Sequence, residues 1–189
     1  MKRILFVLCL LFSFTSNAQS IEGTELGLEG TFGASNLGGS FGIGVKYGWK
    51  FGEYFIAGPS VRYQRTWFQA GLNTASPTSG GFNIFGGGGF IHARFFNALF
   101  VGVESEILRT PLNGNFSFSS ESNWSPNFFI GGGYSMEFNE TWRLNLGILY
   151  DVIDSDNSPL QFQYTTRNSQ GVLLPIIYRI NFFFPIGGE

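Results

Sequence analysis

Four groups of residues have types and spacing that could support chemistry. They are His92 with Glu104, the glycine run 86–89, the acidic set Asp151, Asp154 and Asp156, and the arginines Arg65 and Arg109. A histidine beside a carboxylate could take part in acid–base catalysis, and a glycine run could hold a phosphate group. Clustered aspartates could bind a hard cation, and arginine binds phosphate through two parallel hydrogen bonds. The elements that position these side chains decide among the options.

The segment 95–109, FFNALFVGVESEILR, indicates what kind of element carries Glu104. Side chains alternate between the two faces of a strand, so Glu104 and Glu106 point to the same side. The opposite face carries the aliphatic side chains of Leu99, Val101, Val103 and Ile107. The segment is therefore predicted to be a strand with one apolar face and one face that accommodates carboxylates.

The composition favours strands of this kind over helices or an ordinary soluble surface. The chain has 189 residues, enough for one domain with a sizeable core. It contains 23 Phe and 27 Gly, and only 13% of its residues are charged, whereas a soluble surface is roughly 25–35% charged. Mean hydropathy is +0.09, and no apolar run reaches the ~18 residues that a membrane helix needs.

Residues 1–18 have the pattern of a secretory signal peptide, with a basic start, a short apolar stretch and a small-residue cleavage site. The mature chain is expected to begin at Gln19 and to form one domain over 19–189. Cleavage removes Cys9, so we expect neither a disulfide nor thiol chemistry. It also removes Lys2 and Arg3, which leaves 9 basic and 13 acidic side chains and a net charge of −4. That balance does not favour nucleic acid as a partner.

Tight turns flanked by aromatic residues recur about every 44 residues, which indicates a repeated supersecondary unit. They are FGEYF (51–55), FFNALF (95–100) and FNETW (138–142). Stretches rich in Ser, Asn, Gly and Pro are predicted to be longer loops, at 35–40, 69–81, 110–126 and 152–170. Eight strands result, at 24–33, 40–51, 55–67, 82–95, 98–109, 127–138, 141–151 and 171–184.

The alternation of long loops and short turns predicts the fold class. It is all-β, an eight-stranded antiparallel up-and-down transmembrane β-barrel with short periplasmic turns and longer extracellular loops. Each predicted strand meets the ~9–11 residues that a tilted membrane strand requires. Alternate positions again give an apolar and a polar face, with aromatics near the strand ends, as at the two bilayer interfaces. Glycines on the polar face leave room for long side chains.

On the predicted inner face, acids and bases balance. The acids are Glu25, Glu29, Glu104, Glu106, Glu137 and Asp151, the bases are Lys46, Lys50, Arg62, Arg94, Arg143 and Arg179, and His92 faces the same lumen. An unpaired buried charge costs several kcal/mol, so a narrow lumen needs this balance. Side chains fill the interior of an eight-stranded barrel, which predicts a plugged lumen. A three-residue third turn would place Glu137 opposite Arg143.

With these strands and this lumen, the chain resembles the small outer-membrane β-barrel family that includes the OmpA transmembrane domain and OmpX. The resemblance covers about residues 20–186, and the segment 178–184, YRINFFF, is similar to the terminal strand signal that barrel-assembly machinery reads. It implies an integral protein of the Gram-negative outer membrane, in contact with lipopolysaccharide. Structural, adhesive or stability roles are implied, without an enzymatic motif or a cofactor. A monomer is expected.

The strand assignment narrows the options for chemistry. His92 lies on the inner face, opposite Gly102 and diagonal to Glu104, but no nucleophile faces it, so catalysis is not predicted. The glycine run 86–89 lacks the Lys-Ser/Thr of a phosphate-binding loop and is expected to relieve crowding in the lumen. The aspartates lack the spacing of a calcium loop and are expected to lie in a solvated loop, so no metal site is predicted.

Arg65 and Arg109 are the remaining candidates. Both point outward at the loop ends of their strands, where lipopolysaccharide phosphates would lie, so they are candidates for lipopolysaccharide contact. The alternative is that the two side chains only extend to the interface, with their charge in water.

The leading hypothesis is a non-enzymatic outer-membrane barrel with a charge-paired, plugged lumen and loops that serve structural, adhesive or binding roles. An extracellular ligand would contact the aromatic loop residues Phe116, Phe118, Trp124, Phe162 and Tyr164; the alternative is that these side chains only pack on one another. The alternatives are a narrow pore for ions or small hydrophobic ligands and a lipid A-modifying membrane enzyme, an activity of some small barrels of this envelope. A soluble barrel of the lipocalin type would place its apolar face inside.

Overall fold

A computed structural model describes residues 21–35, 38–68, 80–113, 117–138, 141–164, 166–167 and 173–186. The predicted signal peptide, residues 1–18, and the predicted mature N-terminus, Gln19, lie outside the described residues. The described residues contain the strands that build the fold.

Ten strands and one short 3-10 helix are present in the described part of the chain. The strands are β1 Ile21–Ser35, β2 Gly38–Phe51, β3 Phe55–Phe68, β4 Gly80–Phe95, β5 Leu99–Asn113, β6 Ser117–Phe138, β7 Trp142–Asp151, β8 Thr166–Arg167, β9 Leu173–Leu174 and β10 Ile176–Pro185. The helix is Pro159–Gln163, with the Ser158 side chain accepting from Leu160 N at its start. Among these residues no helix is long and apolar enough to cross a membrane.

Strands β1 to β7 and β10 form a closed antiparallel barrel in which β10 pairs with both β7 and β1. The closing register sets Leu28 opposite Phe182 and Glu29 opposite Asn181. Because each of the eight strands has a neighbour on both sides, the barrel has no open edge with unpaired backbone groups. The predicted eight-stranded antiparallel barrel is confirmed. β8 and β9 form a separate two-stranded ladder.

Three short turns join β2 to β3, β4 to β5 and β6 to β7, at the positions that the aromatic spacing predicted. Gly52 has φ 62°, and Phe96 and Asn97 have φ 55° and 49°, the left-handed conformation that such tight reversals use. In the third turn, Glu137 pairs with Arg143 and Phe138 with Trp142. The predicted register of Glu137 and Arg143 is therefore confirmed.

The predicted strand bounds differ most from the structure at three strand ends. β5 and β6 extend past the predicted ends, with Leu112 opposite Phe118, so much of the predicted loop 110–126 is a continued hairpin with a register shift after Thr110. Backbone pairing does not need apolar side chains. The polar residues of this stretch therefore gave no alternation from which the longer strands could be predicted. The closing strand begins at Ile176 and not at residue 171, because Pro175 has no N–H to donate to a ladder.

The barrel is apolar outside and polar inside. In β5, Val101 and Ile107 are 53% and 55% exposed, whereas Glu104 and Glu106 are each 2% exposed. The same alternation runs through β2 from Phe41 to Trp49. Apolar surface is stabilised by removal from water, by about 25 cal/mol per Å², so this exterior needs a hydrocarbon surrounding. The orientation is the reverse of that in a soluble barrel.

Aromatic side chains contact one another at both ends of this apolar exterior. At the short-turn end, Phe138 and Trp142 stack with ring centroids 4.2 Å apart, and Trp142 lies 5.9 Å from Phe182. At the long-loop end, Phe85 meets Trp124 edge to face at 6.3 Å. Bands of aromatic residues at two heights mark the interfaces of a membrane barrel, where an apolar ring with a polar edge is favoured.

One glycine shows how tightly the lumen is packed. A Cβ atom at Gly102 of β5 would lie 2.4 Å from His92 Cδ2 and 2.9 Å from the Ile91 carbonyl oxygen. At Gly30 of β1, an added Cβ would meet no atom within 4 Å.

We therefore expect Gly102→Ala to lower the free energy of unfolding by about 1–3 kcal/mol, because the added methyl group forces His92 and the backbone to move. Gly30→Ala, the matched control, should change it by less than about 0.5 kcal/mol. Urea unfolding of the refolded barrel in detergent micelles measures both. Equal effects of the two substitutions would contradict the proposed crowding.

Candidate functional site in the lumen

The centre of the lumen holds six charged side chains and one histidine, which we call the ionic belt. Its members are Glu29 of β1, Lys46 of β2, Arg62 of β3, His92 of β4, Glu104 and Glu106 of β5, and Arg179 of β10, all of them buried. Three carboxylates face three cations, so the formal charge of the belt is zero when His92 is neutral. Because the members come from six strands, the ion pairs link most of the circumference of the barrel.

Arg179 occupies the middle of the ionic belt. Its Nη1 lies 2.8 Å from Glu106 Oε1 and 3.5 Å from Glu29 Oε2, and it donates a hydrogen bond to Glu104 Oε2. One guanidinium group thus contacts all three carboxylates. Its Cζ also lies 4.6 Å from the centroid of the Phe129 ring, a cation–π contact on the side of the lumen towards the long loops.

Lys46 and Arg62 supply the remaining positive charge. Lys46 Nζ lies 2.7 Å from Glu104 Oε1 and 3.0 Å from Glu29 Oε2. Arg62 donates to the two oxygens of Glu106 at 3.0 Å and 3.1 Å, and a further ion pair joins it to Glu29. Each carboxylate of the belt therefore contacts at least two cations, the arrangement that offsets the cost of removing these charges from water.

His92 is packed as part of this belt. Its Nε2 lies 2.8 Å from Glu104 Oε1, which confirms the predicted diagonal contact. Its ring centroid lies 5.0 Å from that of Phe90 and 5.1 Å from that of Phe100. Nδ1 has no hydrogen-bond partner among the described residues. The arrangement brings a carboxylate to His92 but no nucleophile, so it does not assemble the groups that acid–base catalysis of acyl transfer requires.

Two other predicted lumen pairs lie nearer the short turns. Arg94 is paired with Glu25, with Nη2 2.8 Å from Oε2 and Nη1 donating to Oε1 at 3.0 Å. Arg143 pairs with Glu137, and also donates to Ser135 Oγ at 3.1 Å. Glu137 is exposed and Arg143 only half-buried, so this second pair lies at the rim and not in the enclosed centre.

Lys50 and Asp151 lie on the inner side of the barrel, as predicted, but neither forms an ion pair in the described residues. Lys50 is half-buried and, in the described residues, has no ion-pair partner. Asp151 is fully buried, but backbone N–H groups satisfy it: Oδ1 accepts from Phe128 N at 3.2 Å and from Ile153 N at 3.2 Å. Backbone N–H groups can stabilise a buried carboxylate in place of a cation, and the alternation of side chains along a strand does not reveal this.

On the long-loop side of the ionic belt, the lumen is apolar. We call this cluster the apolar layer. Its members are Phe82, Ile84, Leu108, Leu112, Phe129, Leu149, Leu160, Tyr164 and Ile177. Seven of them come from barrel strands, whereas Leu160 and Tyr164 belong to the segment that follows β7. That segment therefore enters the mouth of the barrel and covers the apolar side chains that would otherwise face water.

Polar contacts hold this segment, residues 152–164, which we call the plug. Ser158 Oγ donates to Asn127 Oδ1 at 2.6 Å, and Gln163 Nε2 donates to Gln64 Oε1 at 2.8 Å. Tyr164 donates its hydroxyl hydrogen to Asp151 Oδ2 at 3.1 Å. Burial and the Asp151 carboxylate raise the pKa of Tyr164, so the phenol stays protonated as the donor. The plug is thus fixed to the inner wall at several heights.

The plug changes the assignment of the loop aromatics. Tyr164 is only 6% exposed, and the Phe162 ring lies edge-on to Phe82 at 5.6 Å. Both were predicted as contacts for an extracellular ligand, and both instead pack on the apolar layer. Trp124 remains 57% exposed. Phe116 and the Phe118 side chain lie outside the described residues.

The acidic loop forms no metal centre in the described residues. No group of three or more His, Cys, Asp or Glu side chains there is placed to hold a metal ion. Asp154 has φ 45° and is exposed. Partial burial, followed by the charges of Asp151 and Asp156, raises the pKa of Asp154. Asp151 itself is engaged by the backbone and by Tyr164, as described above.

The glycine run 86–89 is crowded by backbone and not by lumen side chains. A Cβ at Gly86 would lie 2.0 Å from the Ile107 carbonyl oxygen, and one at Gly88 would lie 1.7 Å from that of Ser105. The run therefore permits β4 to approach β5 closely. The prediction that these glycines make room for long side chains was wrong here, although it holds at Gly102 beside His92.

Arg65 and Arg109 point outward at the long-loop end, as predicted. Arg65 Nη1 donates to Asn83 Oδ1 at 2.9 Å. The Arg109 guanidinium lies 5.3 Å from the centroid of the Phe85 ring. Neither arginine has a carboxylate partner in the part of the chain that the structure describes. Together with Asn83 and Phe85, they form the outward patch, on β3, β4 and β5.

Sequence reasoning missed the plug and the apolar layer. The inward positions Phe82, Ile84 and Leu108 were visible as exceptions to a polar inner face, near the loop ends of their strands. Leu160, Phe162 and Tyr164 alternate with glutamines directly after a Ser-Pro helix start. The two signals read together could have indicated that an apolar segment covers an apolar mouth.

The closed eight-stranded sheet, its apolar exterior and its buried ion pairs define the class: a small transmembrane β-barrel of the outer-membrane type.

A scan against protein-family models found no match, and a search of curated proteins found none either. Six chains of solved structures match. One is the backbone structure of the Yersinia pestis outer membrane protein Ail in a phospholipid bilayer nanodisc, with 13% sequence identity and a TM-score of 0.46. That match covers 87% of this chain and 100% of the other.

We expect Arg179→Met to lower the free energy of unfolding by about 3–5 kcal/mol, because it leaves three buried carboxylates with two cations. Arg65→Met, an arginine on the outer surface, should change it by less than about 0.5 kcal/mol. Urea unfolding in micelles is the measurement.

The double variant Arg179→Met/Glu106→Gln restores a neutral belt and should recover part of the loss. If the double variant is less stable than Arg179→Met alone, charge balance does not govern the stability of the lumen.

Proposed function

We propose that this protein is an integral outer-membrane barrel without an open channel and without catalytic activity, and that it acts through its stability and its exposed surface. The observation that carries the proposal is the contact of Arg179 with all three carboxylates of the ionic belt. These contacts fill the axis of the barrel at its centre. The plug supports the same proposal by covering the lumen at the long-loop end.

The main alternative is a narrow pore. An ion that passes along the axis would have to separate Arg179 from Glu106, now 2.8 Å apart, and break the pairs of Lys46 in the same low-dielectric space. Separating buried ion pairs costs several kcal/mol for each ion. Steady conduction is therefore not favoured by this lumen.

A lipid A-modifying enzyme is favoured less. His92 is fully buried and is surrounded by Phe90, Phe100 and Glu104. A lipid substrate lies on the outer face of the barrel, and His92 points to the opposite face. No polar side chain on the apolar exterior supplies a nucleophile beside a base in the described strands.

We expect the purified full-length mature protein to show no steady single-channel current in planar bilayers at neutral pH. The reason is the unbroken ionic belt. Arg179→Ala/Glu104→Ala removes two large side chains and keeps the net charge; combined with Leu160→Ala/Tyr164→Ala, which weakens the plug, it should give measurable open-channel current.

Steady current through the wild type would favour the pore hypothesis. The boiled and unboiled samples of each variant should migrate differently on a gel, as a check that the barrel is folded.

We further propose that the outward patch contacts the phosphate groups of lipopolysaccharide. Arg65 and Arg109 have no carboxylate partner in the described strands, and each is held by a neighbour, Asn83 or Phe85. Arginine forks bind phosphate bidentately, and fixing the side chain beforehand reduces the entropy lost on binding. The alternative is that both side chains only reach the interface.

Arg65→Ala/Arg109→Ala should weaken the binding of lipopolysaccharide at least about a hundredfold, because hydrogen bonds to charged groups contribute about 1.5–3 kcal/mol each and two arginines are lost. The matched control is Arg143→Ala, which removes an arginine at the other end of the barrel and should leave the binding unchanged. Phosphate assay of the washed, micelle-bound protein gives the readout. Equal retention by the double variant and the control would exclude the patch.

A further inference from the structure

A small cavity opens at the short-turn end of the lumen, below the ionic belt. It has a volume of about 90 Å³ and is lined by six charged residues, Glu25, Lys50, Glu53, Arg94, Glu137 and Arg143, with Phe183 among its apolar neighbours. We call it the vestibule. Three acids and three bases share this space, so its net charge is zero.

Arg94 gives the vestibule unused hydrogen-bonding capacity. The side chain is 7% exposed and stacks on Phe183, with Cζ 4.7 Å from the ring centroid. Nη1 donates to Glu25 Oε1 at 3.0 Å. Among the described residues, Arg94 Nε and Nη2 make no hydrogen bond, and neither does Glu25 Oε2. Nη2 and Oε2 lie 2.8 Å apart and form an ion pair, but they are not aligned as a hydrogen bond. Buried donors and acceptors are normally satisfied, so a polar ligand that enters the vestibule would find these atoms available.

The rim of the vestibule also carries one charge of each sign. Lys50 is half-buried on β2 and Glu53 is exposed in the turn that follows. In the described part of the chain neither takes part in an ion pair. The vestibule thus offers a cation and an anion at the rim, and unused donors and an unused acceptor below.

We propose that the vestibule binds the zwitterionic head of a small α-amino acid. The carboxylate lies against Arg94 Nε and Nη2 and Lys50, and the ammonium group lies against Glu25 Oε2 and Glu53. A simple anion would meet three carboxylates and a simple cation would meet three bases. A molecule that carries a positive and a negative charge a few ångströms apart can place each charge beside side chains of the opposite sign. The cavity volume restricts the ligand to a small side chain.

The experiment titrates the ¹⁵N-labelled, full-length mature protein in detergent micelles with L-alanine. The signals observed are the Arg94 Nε–H group and the backbone N–H groups of Lys50, Arg94 and Arg143. We expect saturable shifts for L-alanine. N-acetyl-L-alanine lacks the ammonium group and L-alaninamide lacks the carboxylate, so each should need at least about tenfold higher concentration, because a charge-assisted hydrogen bond is lost.

Two variants locate the site. Glu25→Gln/Arg94→Gln keeps the net charge and should abolish saturation, and Lys50→Met, which leaves the buried pair intact, should weaken binding about fivefold or more. Asp156→Asn, which removes an exposed charge at the opposite end, is the control and should bind as the wild type does. Shifts that rise linearly with concentration, or that are equal for the three compounds, would overturn the proposal. So would saturation that persists in both vestibule variants. The planar-bilayer measurement described above tests closure of the lumen at Arg179 independently of ligand binding in the vestibule.

Discussion

In the middle of the barrel, Nη1 of Arg179 contacts the carboxylates of Glu29, Glu104 and Glu106 at once. An uncompensated ion in this low-dielectric space costs several kcal/mol, so these side chains must stay together. They come from β1, β5 and β10, which are far apart in the chain. A slip of one residue in any of these strands would turn a charge towards lipid and an aliphatic side chain inward. The pairing of charges inside the barrel therefore also fixes the register of the sheet around it.

The lumen is built in layers whose polarity alternates along the axis. The apolar layer and the plug lie on the long-loop side of the ionic belt, and a smaller cluster of Ile56, Phe90 and Phe183 lies on the other. Both clusters exclude water from the belt, which strengthens its ion pairs and raises the cost of separating them. Two effects therefore close the lumen together. The apolar side chains exclude water from the charges, and the ion pairs hold together the strands that carry the apolar side chains.

Alternation along the strands was enough to predict the barrel, its inner and outer faces, and the register of Glu137 with Arg143. It also placed His92 beside Glu104, because a short turn leaves little freedom in the pairing of the two strands that it joins. It could not predict which cation meets which acid across the lumen, since Lys46 and Glu104 are not neighbours in any ladder and only barrel closure brings them together. It also failed at Asp151, where backbone N–H groups replace a cation, and at the plug, whose position depends on tertiary packing.

The two ends of the barrel differ in how their charges are arranged. At the long-loop end, Arg65 and Arg109 point outward without a carboxylate partner in the described strands. At the short-turn end, the charges of the vestibule point inward, and acids equal bases. The contact with lipopolysaccharide phosphates proposed above would give these arginines the anionic partners that the described strands do not supply. Inside the barrel the ionic belt meets the same physical requirement, a partner for every charge removed from water, within the chain; at the outward patch the proposed lipid phosphates would meet it.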